Sequence, residues 1–441
     1  MRARTHTLGR TWMAVPAGLA LCVSGSNLHC AGIVGITDVP GGDGGALPGF
    51  DSGFDGSRPH LDGSPPGTDG GHPGTDGSQP GTDSSQPRSD GGGSPLTFAP
   101  SNVGGMSFSA AGLGPLTLNG GDNCAVFTDY PSQPIISCSA PLNPSMEVFG
   151  VNMPGGAGEA IIYVFTDVSI GAGSILDIQG PLPVIIVALG SVDIAGAIDA
   201  SADQFGSVGA VGIPGARLTG PGIGGFNAQM GPQGGGGGSF CGLGGQGAIG
   251  TTGTVQSESM PGASYGTANL IPLWGGSAGG GASTQTGSVT ANGYGGGAIQ
   301  ISAAGQITVE SGGYISVNGS GGVASNEAGE GGGSGGGILL EAPTVTVEGV
   351  LEANGGGGSD WNGDGASPPT DGGVANEPGG YGGNGSAATS VTGTNGAPGS
   401  GGYGGGGGGA GWIRINANTA RVTGTVSPSM GSMCASKGPL P

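Results

Sequence analysis

Apolar residues along this chain recur in short alternating groups rather than in long runs. In "IQISAAGQITVESGGYISVNG" (299–319), Ile299 and Ile301, Ile307 and Val309, and Ile315 and Val317 each bracket one residue of different character. A period of two belongs to a strand, whose side chains at i and i+2 share a face while the middle one turns away. Four other stretches align with it: "IIYVFTDVSIGAGSILDIQG" (161–180), "IIVALGSVDIAGAIDASA" (185–202), "ILLEAPTVTVEGVLEANG" (338–355) and "IRINANTARVTGTVSPS" (413–429). Each holds three short strands. The second strands align as 168–170, 192–194, 307–309, 345–347 and 420–422, which predicts one interior column of Val168, Val192, Ile307, Val345 and Ala420.

The first two stretches follow one another without a glycine insertion, and equivalent positions such as Asp177 and Asp199 lie 22 residues apart. That is the length of one three-strand turn of a solenoid, in which each turn buries its apolar face only against the next. The predicted fold is therefore all-β: a single-stranded parallel β-helix of about five coils over 161–430. A β cap region at 96–160 precedes it and a short tail at 431–441 follows.

Glycine supplies 111 of the 441 residues. Much of it lies in 203–298, 320–337 and 356–411, each of which follows the third strand of a coil. All three insertions are expected to leave the solenoid at one corner as a single lateral mass. Strings such as "GPQGGGGGSF" and "GGYGGGGGGA" are compatible with mobile loops and equally with closely packed extended backbone. The sequence leaves both open.

The phrase "GGAI-x-I-x-A…V-x-V…G-x-L-x-A-N-G-G-G" recurs at 297–322 and 336–358, with "GAIDASA" at 196–202. Over roughly 161–430 this pattern resembles the glycine-rich repeat proteins of Gram-negative cell surfaces and, more distantly, autotransporter-passenger and PE-PGRS-like proteins. The resemblance implies a secreted or surface-displayed β-solenoid of structural or adhesive character. It implies no active site.

Charge narrows the partners. The formal net charge is −20, and beyond Arg88 the only cations are Arg217, Arg414, Arg421 and Lys437. Such a chain has no means of neutralising a phosphate backbone, so nucleic acid is excluded as an expected partner. The first residues look like an export signal (1–26), with Arg2, Arg4 and Arg10 before the apolar "WMAVPAGLALCV". "LALC" resembles a lipobox with Cys22 as the acylated residue, although Leu21 departs from the usual small residue; simple cleavage near Ser26 is the alternative. A lipid anchor there is the only membrane attachment expected, and the location expected is extracellular or on the outer-membrane surface. Residues 27–95 carry the repeat "SPPGTDG", "GHPGTDG", "SQPGTDS", "SQPRSDG", which has no apolar face and reads as a disordered, soluble tether. In an exported chain Cys124 and Cys138 could close a small disulfide loop. Cys241 and Cys434 are two further cysteines that the sequence alone does not pair.

Chemistry is sparse. His6, His29, His60 and His72 all precede the folded part, so no histidine-based triad or zinc site is expected in the solenoid. Outward positions of the aligned third strands are Asp177, Asp199, Ser316, Glu352 and Ser427. Asp177 and Asp199 would sit on neighbouring coils, about 4.8 Å apart. The expectation is an exposed acidic stripe that keeps the surface soluble, with cation binding or a glycosidase-like carboxylate pair as the sharper readings. In "DWNGDGASPPTD", Asp360, Asn362, Asp364 and Asp371 fall at positions 1, 3, 5 and 12 of an EF-hand-like loop, with Gly365 at 6. Calcium is the one cofactor this suggests. Pro368 and Pro369 and the aspartate at position 12 weigh against it. Tyr294, Tyr381, Tyr403, Trp274 and Trp361 lie in the glycine-rich insertions, either anchoring them or offering rings for sugars to stack on. The function expected is that of a non-catalytic structural or adhesive surface protein with an extracellular polysaccharide or matrix partner. The alternative is a polysaccharide-active or calcium- or glycan-binding β-helix.

Overall fold

The computed structural model describes residues 96–128, 135–139, 145–202, 221–225, 233–249, 259–283, 289–290, 293–322, 324–325, 328–360, 381–399 and 402–441. The export segment with Cys22, the tether, and Asn362, Asp364, Gly365, Asp371 and Trp361 lie outside the described residues. Within these residues the protein is all-β, with no α-helix, and its strands form mixed sheets.

Most pairing is parallel and joins each aligned stretch to the next, giving three rows of strands. In the first row, Glu159–Phe165 pairs with Val184–Ala188, which pairs with Ala298–Ala303, then Gly337–Val347, then Trp412–Val422. The second row runs through Val168–Ile170, Val192–Ile194 and Gln306–Val309 to the distal halves of the same two long strands. The third runs Ile175–Gln179, Ala197–Asp199, Tyr314–Ser316, Val350–Glu352, Thr425–Ser427. Val168, Val192, Ile307, Val345 and Ala420 are register partners in that order. The first four are buried and Ala420, in the last paired turn of the second row, is half-buried.

Three features differ from the sequence expectation. In the last two stretches the first and second strands fuse into one eleven-residue strand; at this junction the second and third stretches carry Gly190 and Gly305 and the first carries Thr166-Asp167, whereas "EAPTV" and "NANTA" contain no glycine. Parallel pairing also extends past 161–430. Leu116–Leu118 pairs with Val168–Ile170, Asn123–Phe127 with Ile175–Gln179, and Ala435–Gly438 with Trp412–Val422. Finally, the sheets contain antiparallel parts: Ile135–Cys138 lies against Asn123–Phe127 and Glu147–Asn152 against Glu159–Phe165. A disulfide joins Cys124 to Cys138, directly opposed in the first of these hairpins, with Cα atoms 4.0 Å apart.

Two apolar layers result. Inward positions of all three rows, including Ile161, Ile186, Ile194, Ile301, Ile315, Leu340, Leu351 and Ile415, form one core. The outward positions of the first row are buried as well. Ile162, Val164, Ile185, Val187 and Leu339 pack under Val103, Phe108, Phe240, Leu270 and Leu273. Burial on both faces explains why this row reads as the near-continuous runs "IIYVF" and "VIIVA". In the same layer Glu341, wholly buried, accepts hydrogen bonds from the Ser101 amide (2.9 Å) and hydroxyl (2.7 Å), from the side chains of Gln300 and Ser302 (3.0 Å each), and from Asn416 (3.1 Å). Five donors compensate a buried carboxylate and tie the chain at Ser101 to the sheet.

The glycine-rich insertions are built differently. Along Gly331–Gly336, six successive amides donate to Gly280, Gly406, Ser320, Ser277, Gly409 and Val317 at 2.8–3.0 Å. Amides three apart therefore address the same neighbouring segment: Gly280 and Ser277, Gly406 and Gly409, Ser320 and Val317. The 405–410 segment repeats the rule with Ser359 and Gly356, Gly235 and Gly238, Thr394 and Val391. Three residues per turn in an extended chain is the geometry of polyproline II. With glycine the freed N–H groups turn outward and bond to surrounding helices. Residues from all three insertions share this array: 235–238 donates to 329–332, 329–335 to 403–409, and 406–409 back to 235–238. A second disulfide, Cys241 to Cys434 with Cα atoms 5.6 Å apart, links the array to the segment just before Ala435–Gly438.

Glycine is needed here for space and not for a left-handed backbone, since none of Gly331–Gly337 or Gly404–Gly411 has positive φ. A Cβ on Gly331, Gly332 or Gly333 would collide with the carbonyl oxygen of Gly236, Gly356 or Tyr294, three different neighbours. Toward the surface the requirement relaxes. Gly393, Gly396 and Gly399 face the array, while Thr394, Asn395, Ala397 and Pro398 are exposed.

Candidate binding cleft

The outward face of the third row carries two polar ladders. One runs Asp177, Asp199, Ser316, Glu352, Ser427, each the register partner of the next. The other continues each strand two residues further on, through Gln179, Ser201, Asn318 and Asn354. Strand alternation places both outward, because Ile178, Ala200, Val317 and Ala353 fill the core between them.

Over the later turns this face is covered. Ser316, Asn318, Glu352, Asn354 and Ser427 are buried, so Glu352 does not belong to an exposed stripe as its alternation suggests. The Asn318 amide donates to Ser316 and to Glu352 (2.9 Å each), and its carbonyl oxygen accepts from the Asn354 amide (2.7 Å). Part of the cover is the segment around Ser386–Ala388, which accepts a hydrogen bond from the Gly355 amide (2.9 Å) and donates the Ala388 amide to Ser427 (2.7 Å).

Over the earlier turns the ladders line a cleft of about 690 Å³, bounded on its far side by Ser137, Ser139 and the Cys124–Cys138 disulfide. Asp177 and Asp199 stand side by side in it, half-buried. Each carboxylate is held along its own strand: Asp177 accepts from the Gln179 side chain, and Asp199 from the Ser201 amide at 2.9 Å. The Ser201 and Ser316 hydroxyls are 2.7 Å apart and connect the open half to the covered half. Ile175, 37% exposed, is the apolar patch of the cleft. On the strand that follows Ala197–Asp199 in the row, Tyr314 has a phenol raised above its ordinary value by partial burial and by the charges of Asp199 and Glu352.

The other sequence candidates are placed separately. Asp360 is half-buried at the end of a glycine segment, and no group of three or more metal-ligating side chains occurs among the described residues. Tyr294, Tyr381 and Tyr403 are half-buried within the array. The Trp274 ring meets Tyr265 in a tilted contact at 5.5 Å, and Tyr265 meets Phe240 likewise at 4.6 Å, so this tryptophan anchors an insertion against the first row. Tyr265 donates to the Gly275 carbonyl (2.6 Å) and accepts from Ser277 (2.9 Å). Burial raises its phenol, partly offset by the Ser277 hydrogen bond. Neither Gln179 nor Ser201 was marked as a site residue by spacing alone, although both sit two residues beyond the aligned acidic positions.

No family model, no curated protein and no solved structure matches the chain.

Proposed function

We propose that this is an exported, non-catalytic structural or adhesive protein, whose body is a single-stranded parallel β-helix displayed at the cell surface or in the surrounding matrix. The observation that carries the reading is the glycine array. Its segments are cross-linked by backbone hydrogen bonds on several sides, which makes a stiff block out of what would otherwise be long loops. A surface held this way engages a partner without the entropic cost of ordering it. Two disulfides and the signal-like amino terminus support an oxidising compartment outside the cytoplasm.

The test is to incubate the purified protein with insoluble and soluble polysaccharides, neutral and acidic, and to follow pelleting and chain length separately. Association without shortening is expected; release of new reducing ends would overturn the non-catalytic reading. The cleft favours glycan binding as a second role for the same protein, because an open polar ladder with one apolar patch is a surface on which sugars can lie.

A further inference from the structure

We infer that the cleft over the first turns of the third row binds a neutral or amino-sugar oligosaccharide, with cationic amino sugars preferred. The inference rests on the adhesive reading and names the ligand class of one site within it. The volume, about 690 Å³, lies in the range of small-ligand sites and suits a few sugar rings. Its polar lining holds the Asp177 and Asp199 carboxylates, the Asn123 and Gln179 amides, and the hydroxyls of Ser137, Ser139 and Ser201; of these only the carboxylates are charged. Carboxylates only accept hydrogen bonds, so the matching ligand is rich in donors, as sugar hydroxyls and ammonium groups are. Among the described residues that line the cleft there is no Lys, Arg or His, so the two carboxylates disfavour acidic glycans. Ile175 offers an apolar surface for the C–H face of a sugar ring.

A peptide strand fits less well. The floor of the cleft is a parallel ladder in which Ile175–Gln179 is already paired on both sides, with Asn123–Phe127 and Ala197–Asp199. An incoming backbone therefore finds no sheet edge on the cleft floor to extend; the edge strand, Ile135–Cys138, stands at its rim.

Calorimetry on the full-length protein in EDTA, with the glucosamine hexamer, the N-acetylglucosamine hexamer and the galacturonate hexamer as probes, tests this. The glucosamine hexamer should bind tightest and the galacturonate hexamer not at all. Asp199→Asn should weaken glucosamine binding at least ten-fold, and Asp193→Asn, on an exposed second-row position, should not. Ile175→Arg, at a partly exposed site, should abolish binding and covers the case in which Asp199→Asn fails to fold. Wild-type affinity in either cleft variant overturns the inference. So does equal binding of galacturonate, equal binding of an oligolysine of the same charge, or binding that appears only when calcium replaces EDTA. Such results leave association with bulk polysaccharide untouched, whereas failure of the adhesive reading appears as cleavage or as no pelleting with any polysaccharide.

Discussion

The strand rows and the glycine array bury their backbones equally well and by opposite means. In the rows, Ile307, Val345 and Leu351 are fully buried because large side chains fill the space between sheets. In the array, Gly333 and Gly407 are fully enclosed because no side chain is present at all, and neighbouring carbonyls occupy the place of a Cβ. Apolar burial stabilises the first. The second depends on hydrogen bonds and close backbone contact, including the weak Cα–H contacts that such proximity allows. One region tolerates no loss of volume; the other tolerates no gain.

The largest effect is expected where a charge enters the row core. Val192→Asp places an unpaired carboxylate between Val168 and Ile307, at a cost of several kcal/mol. It should leave no folded protein in a soluble-expression and circular-dichroism assay. Next comes the bond joining the two regions. Cys434→Ser opens a loop with a sequence separation of 193, worth about 5 kcal/mol in the chain-entropy model. Cys124→Ser opens one of 14, worth about 3 kcal/mol. Denaturant midpoints should fall in that order.

A paired measurement then sharpens the contrast. Ile307→Ala, large to small, should cost about 2–5 kcal/mol. Gly407→Ala, small to large, should cost about 1–3 kcal/mol or more, because its added methyl meets the Asn384 carbonyl. If Gly407→Ala unfolds at the wild-type midpoint, the array is not close-packed. At the small end is Gly312→Ala, an exposed turn glycine of ordinary φ whose Cβ would meet only the Ala195 oxygen at 3.8 Å. This change should be neutral, or stabilising by less than about 1 kcal/mol, because the unfolded chain loses freedom.

The register of the rows was legible in the sequence because β-branched residues at i and i+2 carry it directly, from Val168 to Val345. The outer turns were not: Leu116–Leu118 is a lone "LTL", and Ala435–Gly438 ("ASKG") has almost no apolar signal. The cover over Glu352 was hidden for another reason. Alternation says which way a residue points, and not what chain later lies across it. The array itself was ambiguous because glycine strings suit mobile and packed backbone alike. Its signal lay in the spacing of the other residues: Leu243 and Gln246, three apart, escape the array while Gly242, Gly244, Gly245 and Gly247 do not. Half of the candidate site, Asp177 and Asp199, followed from the strand alignment. The cleft around them depends on the hairpin at Ile135–Cys138, which no repeat announces.

Amide hydrogen exchange on the intact protein tests the central claim most directly, that the glycine insertions form one hydrogen-bonded block. Amides of 331–336 and 405–410, each donated to another segment, should be protected to the same degree as those of Ile307 and Val345 in the rows, and all should open together. Exchange of these glycines at the rate of an unstructured peptide, while the rows stay protected, would contradict it.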